Sequence, residues 1–158
     1  MIALTLSAQL LGLGAGLIAG IFLAFSDFVM PGLDEAGPGG GSDAMRGLNR
    51  TVYKSIFLLL LKALVPLALA LAVAALLFGR PGMAIWLGLG MASHVGPVLL
   101  VTGLRNIPMN NRLQSLAGDP DGTSAYWPQY VARWTGWNHV RTAGAVFTCV
   151  CFLLAALA

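Results

Sequence analysis

Long apolar blocks alternate with short polar stretches along this chain, and there are four such blocks. Ile2 to Ser26 is uncharged and rich in Leu, Ala and Gly, and Ser55 to Gly79 is interrupted only by Lys62. Pro81 to Leu104 contains His94, and Thr142 to Ala158 is the shortest block. A helix that crosses a membrane needs about 20 mostly apolar residues. The last block falls short of that, so its helix is expected to begin upstream near Pro128, since proline suits the first helical turn. The pattern predicts an all-α fold, an integral membrane four-helix bundle forming one domain over residues 1–158. Its spans are expected at about residues 3–29, 52–78, 82–104 and 132–158, with loops at 31–50 and 105–131 on one side. The first span lacks a basic flank, is too long for a signal-peptide core and shows no small-residue cleavage site before Asp27, so it is expected to be retained.

Composition narrows the class. Only 9% of residues are charged while 58% are hydrophobic, and the mean hydropathy is +0.81. A soluble domain carries roughly a quarter charged residues, and a disordered chain needs low hydrophobicity, so both are excluded. The net charge of +3 comes from cations scattered among apolar runs. No basic stripe forms, and nucleic acid is not an expected partner. The cations report topology instead. Arg46, Arg50, Lys54, Arg105, Arg112, Arg133 and Arg141 fall in or beside the two loops that must share a side, against Arg80 alone on the other. The positive-inside rule then puts both loops in the cytoplasm and both termini outside, as in a multi-pass protein of a bacterial inner membrane.

Two features concern the architecture. Gly12, Gly14 and Gly20 recur at the spacing of Gly88, Gly90 and Gly96, and each block runs on to a proline, Pro31 or Pro108. Asn49-Arg50-Thr51 opens the second span as Asn138 to Thr142 opens the fourth, which suggests a parallel two-helix internal repeat. Gly12, Gly16 and Gly20 form a small-residue ladder that permits close helix approach, inside the bundle or in a homo-oligomer. Pro38 to Ser42 (PGGGS) reads as a flexible linker. Cys149 and Cys151 point to nearly opposite helix faces and read as packing residues.

Ionisable groups inside a membrane are costly and need a reason. Asp27 stands one turn before Pro31, where it can reach the headgroups, pair with Arg46 or Arg50, or serve a site. Lys62 is placed either to snorkel to the interface or to pair with Asp27. His94 lies near mid-bilayer beside the Gly96-Pro97 break, as a core hydrogen-bonding group, a base or a metal ligand. His139 is expected at the depth of Asn49 and Asp27, and His94, His139 and Asp27 are the ligands available for iron or copper, although no metal-binding spacing supports such a site. Tyr130, Trp134, Trp137 and Arg141 fall on one helix face, with Trp137 and Arg141 spaced for a cation–π contact. That face is either an aromatic belt at the headgroups or one wall of a pocket for a flat aromatic ligand. Asn106, Asn110, Asn111 and Arg112 would form its polar mouth, or cap the chain around Pro108. Asn49, Asn138 and Asp27 complete the candidate binding set.

These segments resemble a known family. FSDFVMPGL (Phe25 to Leu33), AMRGLNR (Ala44 to Arg50), NIPMNNRL (Asn106 to Leu113) and WTGWNHVRT (Trp134 to Thr142) are similar, in order and spacing, to the signatures of the anthrone oxygenase-like family of small four-span membrane proteins. The resemblance implies cofactor-independent oxygenation of an anthrone-like or other aromatic polyketide substrate. His94 or His139 would be the base, Asn106, Asn110 or Arg112 would stabilise the enolate oxygen, and Trp134 and Trp137 would stack on the rings. Two other classes stay open. One is a non-enzymatic small-molecule transporter, channel or partner subunit, and the other is a metal-dependent membrane oxidoreductase. Polar residues cluster toward the loop side, which favours a one-sided pocket over a through-path.

Overall fold

A computed structural model describes all 158 residues, and every regular element in it is helical. We label the helices α1 (Ile2–Glu35), α2 (Gly37–Thr51), α3 (Ile56–Leu77), α4 (Pro81–Ser115) and α5 (Pro120–Leu157). All but α2 are long and apolar enough to cross a membrane. The protein is therefore an all-α, multi-pass membrane bundle. Helix α3, with 22 residues, is about 33 Å long, matching a hydrocarbon core of about 30 Å. Helices α1, α4 and α5 have 34, 35 and 38 residues, so each exceeds that thickness by roughly 20 Å or more. The surplus of all three emerges at the same end and, with α2, builds a helical cap there.

The four spanning helices form a ring in the order α1, α3, α4, α5, each packed on its two neighbours. Their shared core is lined by small residues, including the fully buried Ala8, Ala15, Ala68, Ala75, Ala145 and Ala155. Lipid tails are as apolar as leucine, so association depends on close packing, and small residues permit it. A Cβ on Gly90 would lie 2.5 Å from Phe152, and one on Gly144 would lie 2.5 Å from Pro97. Large apolar side chains such as Leu13, Leu17, Leu69, Phe147 and Val150 are exposed on the outside of the ring, where lipid would cover them. A second core fills the cap and joins Met30, Met45, Leu113, Tyr126, Trp127, Tyr130 and Trp134.

Helix α1 widens into a π-helical turn at Phe25–Val29, and α4 does so at His94–Leu100 and Thr102–Asn106. Pro31 and Pro108 each follow such a five-residue turn after one intervening residue. Proline has no N–H to give the carbonyl four residues back, and a widened turn absorbs the mismatch. The equivalence extends to packing. Gly14 faces Leu60 and Leu64 on α3, and Gly90 faces Cys151 and Phe152 on α5.

Three local expectations are corrected. PGGGS is not a flexible linker but the first turns of α2, with Gly41 and Ser42 buried. Glycine is required there, because a Cβ on Gly41 would run into the Leu33 carbonyl and lie 2.8 Å from the Trp127 ring. The last helix begins at Pro120 rather than near Pro128. Asp119 caps it by accepting the Gly122 N–H at 2.9 Å, and the exposed Pro128 is carried inside the helix. Asp27 and Lys62 do not pair. Both are exposed, and the protein's one ion pair joins Arg46 to Asp43. The ladder of Gly12 and Gly16 faces Leu153 and Cys149 of α5, which is packing within the bundle.

The cap can be tested with a matched pair of substitutions. Gly39 has open space around its Cβ position, so Gly39→Ala should raise the unfolding temperature in detergent, alanine being favoured in helices by about 1 kcal/mol. Gly41→Ala should lower it, the overpacking costing about 1–3 kcal/mol.

Candidate functional site

At the cap end of the ring, the helices frame an open-sided cavity of roughly 350 Å³. Phe22 and Phe25 of α1 and Leu58 and Leu61 of α3 form its apolar walls, with Trp134 of α5 as a flat aromatic wall. Asn49, Asn106, Asn110 and Arg141 bring polar groups to it, and the Thr51–Ser55 stretch between α2 and α3 forms the rim.

Asn110 organises one side. Its Oδ1 accepts the Tyr130 hydroxyl and the Trp134 indole N–H, both at 2.9 Å, and its Nδ2 donates to Asn49 Oδ1 at 2.9 Å. One amide thereby fixes the wall of α5 and the α2 side of the rim. Trp127, Tyr130 and Trp134 stack in sequence, with ring centroids 5.6 and 6.4 Å apart. Trp127 is anchored at the far end by donating to the Asp34 carboxylate at 2.8 Å. Asn138 organises the other side. Its Nδ2 donates to the Phe22 carbonyl and to Ser26 Oγ, both at 2.6 Å, and its Oδ1 accepts from Arg141 at 2.7 Å. The Arg141 guanidinium lies 4.6 Å from the Phe22 ring centre and 4.9 Å from that of Trp134.

Buried polar atoms are nearly always paired, yet three residues on this cavity each keep one unpaired. They are Asn49 Nδ2, Asn106 Oδ1 and Arg141 Nε. The residues around the site therefore hold two donors and one acceptor that no protein group answers, close to a flat aromatic wall, a set suited to a ring ketone or enolate with a neighbouring hydroxyl.

Half of the expected site residues gather at this cavity, and the other half stand apart from it. Asn49, Asn106, Asn110, Trp134 and Arg141 line it, and Asn138 holds Arg141. The expected Trp137–Arg141 contact does not form. Arg141 points inward with Trp134 and Asn138, while Trp137 is turned toward Arg105, whose guanidinium lies 4.9 Å from its ring centre. Asn111 and Arg112 are exposed, and Arg112 stacks 4.2 Å over Tyr126 beside a smaller groove outside the cavity. His94 is fully buried but does not line the cavity. Its Nε2 donates to the Leu61 carbonyl at 2.8 Å, and its Nδ1 has no partner. His139 and Asp27 are exposed. No three His, Cys, Asp or Glu side chains come together as a metal ligand set, and His94, His139 and Asp27 do not form one.

The sequence reading missed Arg46 as a structural hub. Its guanidinium donates to the Leu113 carbonyl (3.0 Å), Ser42 Oγ (3.2 Å), Asp43 (2.7 Å) and Thr123 Oγ1 (2.8 Å), tying α2, α4 and α5 together across the cap. Ser42 and Asp43 lie within one helical turn of it, but the two partners that tie the helices together, Leu113 and Thr123, are remote in sequence, so no local pattern could have shown the hub.

The fold and cavity define a multi-pass helical membrane protein with a ligand-sized site at one end of its bundle. The family model described as "Anthrone oxygenase" matches residues 50–151, more than half of the chain. The chain belongs to that family. No curated protein and no solved structure matches it. The matched segment takes in Asn106, Asn110, Trp134, Asn138 and Arg141, and leaves Arg46 and Asn49 just outside.

Removing the Asn110 amide should leave the Tyr130 and Trp134 donors unpaired, at about 1–3 kcal/mol for each buried group. Asn110→Leu should therefore lower the unfolding temperature well below that of Asn111→Ala, a change at the neighbouring exposed position.

Proposed function

We propose that the protein oxygenates an anthrone-like aromatic ketone in this cavity, without a cofactor. The observation that carries the reading is that Asn49, Asn106 and Arg141, which line the cavity with Trp134, each hold a buried polar atom without a protein partner. Ligand pockets run from about 300 to 1,000 Å³, and roughly 350 Å³ suits one small ring system. The donors of Asn49 and Arg141 favour the enolate oxygen over the neutral ketone, which makes the benzylic methylene easier to deprotonate. The resulting carbanion carbon forms a bond to dioxygen. Protonation of that adduct gives a hydroperoxide, and loss of water leaves a new ring carbonyl. One oxygen atom stays in the product and the other leaves in water.

Neither histidine lines the cavity, so in this reading the methylene proton leaves through the rim to solvent rather than to an imidazole. His94 instead braces α4 against α3, directly behind Leu61. Beyond the cavity, toward the termini, the buried core is apolar apart from Thr148. That core supports a one-sided pocket rather than a path across the membrane. The cap end carries the exposed cations Arg50, Lys54, Arg105, Arg112 and Arg133, against Arg80 at the other end. The proposed placement is a bacterial inner membrane, with the cap in the cytoplasm and both termini outside.

Oxygen uptake by the purified protein given anthrone tests the reading, beside a protein-free control. Wild type should exceed the spontaneous rate, and Arg141→Gln should lose on the order of 10²- to 10³-fold of that rate. His94→Gln keeps a donor for the Leu61 carbonyl and should retain most activity. Uptake no faster than the control would overturn the assignment, and its loss in a folded His94→Gln variant would return the base role to His94.

A further inference from the structure

Arg141 is 6% exposed and lies within a spanning helix, yet it has no counter-ion. A guanidinium stays protonated in proteins, and a cation in an apolar interior needs a compensating charge or a complete set of acceptors. Arg141 has neither. Its protein acceptors are Asn138 Oδ1 and, at 3.4 Å, Thr102 Oγ1, and both are neutral. The rings of Phe22 and Trp134 offer π faces, which attract a cation without neutralising it.

All six carboxylates are accounted for elsewhere. Asp43 pairs with Arg46, Asp34 accepts from Trp127, and Asp119 caps α5. Asp27, Glu35 and Asp121 are exposed, and none of the six lines the cavity. Arg141 is thus the only charged residue on the cavity wall, and its buried Nε has no hydrogen-bond partner. Asn49 Nδ2 adds a second unpaired donor. The titratable side chains around it are Tyr53 on the rim, Tyr130 with its hydroxyl given to Asn110, and His94 behind Leu61. None of these supplies a resident anion.

We infer that the missing counter-ion is the ligand: the cavity takes a flat aromatic acid as its conjugate base, with the oxyanion held by Arg141 and Asn49. This deepens the reading above and rests on its assignment of the cavity as the ligand site. It gives Arg141 a role in selection as well as in chemistry, because the site then prefers the ionised ligand before any oxygen is consumed. Asn106 Oδ1, the one unpaired acceptor, would take a hydroxyl next to that oxyanion.

Naphthalene probes test this without any oxidisable methylene. The purified protein in micelles is titrated with 2-naphthoate and with its uncharged isostere 2-naphthamide, corrected for protein-free micelles. Wild type should bind the carboxylate about tenfold or more tightly than the amide, the contribution of one charge-assisted hydrogen bond. Arg141→Gln should remove that preference. A second measurement needs no variant. 2-Naphthol bound to wild type should ionise at lower pH, by absorbance, than 2-naphthol in protein-free micelles. Equal binding of amide and carboxylate, a preference that survives Arg141→Gln, or a naphthol midpoint that is unmoved or raised would overturn the inference. If the carboxylate preference holds while anthrone-dependent oxygen uptake fails, the oxygenation reading falls alone. If uptake holds and the preference is absent, the anion assignment falls alone.

Discussion

The interaction on which the site depends is the buried amide of Asn138. Lipid offers no hydrogen bonds, so every polar group inside the bundle must be answered by another protein group or by a ligand. Asn138 answers three at once. It donates to the Phe22 carbonyl and to Ser26, where α1 approaches and enters its widened turn, and it accepts from Arg141. These bonds fix the register between α1 and α5 and hold the guanidinium against Phe22 and Trp134. An apolar residue in its place would free Arg141 and leave a carbonyl of α1 without its donor. The aromatic wall and the one charged group of the cavity would then lose their common reference point.

The rest of the site follows from helix length. Helix α3 is matched to a bilayer, whereas α1, α4 and α5 run well past it at the same end. The excess cannot rely on lipid to cover its apolar face, so it folds on itself around Trp127, Tyr130 and Met45. Short α2 closes the gap left by α3, and Arg46 fastens it to α4 and α5. The cavity lies where membrane core and cap meet. Its walls are therefore apolar on the α3 side and polar where Asn106 and Asn110 descend from α4.

Fold and site were legible in the sequence to different depths. The four spans could be read because a membrane imposes one long-range rule, about 20 apolar residues per crossing. The candidate residues Asn49, Asn110, Trp134 and Arg141 stood out as polar or aromatic groups bordering apolar blocks, and the cavity gathers them. What could not be read is orientation about a helix axis. Tyr130, Trp134 and Arg141 do share the inward face, but Asn138 completes it in place of Trp137. Helix α5 also starts eight residues before Pro128, because Asp119 and Pro120 supply the cap and first turn. PGGGS misled for a related reason. Glycine marks a flexible linker when solvent surrounds it, but it also marks close packing, and Gly41 against Leu33 and Trp127 is the second case.

The position of His94 bears on how chemistry is divided in this bundle. A histidine at mid-membrane depth invites a catalytic reading, yet its Nε2 is committed to the Leu61 carbonyl and its ring stands behind the cavity wall. Pro66, five residues beyond Leu61, interrupts the hydrogen-bond ladder of α3 in this region. The His94 donor from α4 joins the two helices at the residue before Lys62, whose carbonyl Pro66 leaves without its usual N–H. The cavity's polar character then comes from amides, hydroxyls and one guanidinium, groups that hold charge in place and do not exchange protons at neutral pH. On the proposed reading, such a site acts by selecting and stabilising an anion that forms readily. The proposed division, histidine for the scaffold and arginine for the ligand, rests on where the two side chains sit relative to Leu61: His94 bonds its carbonyl, and Arg141 shares the cavity wall with it.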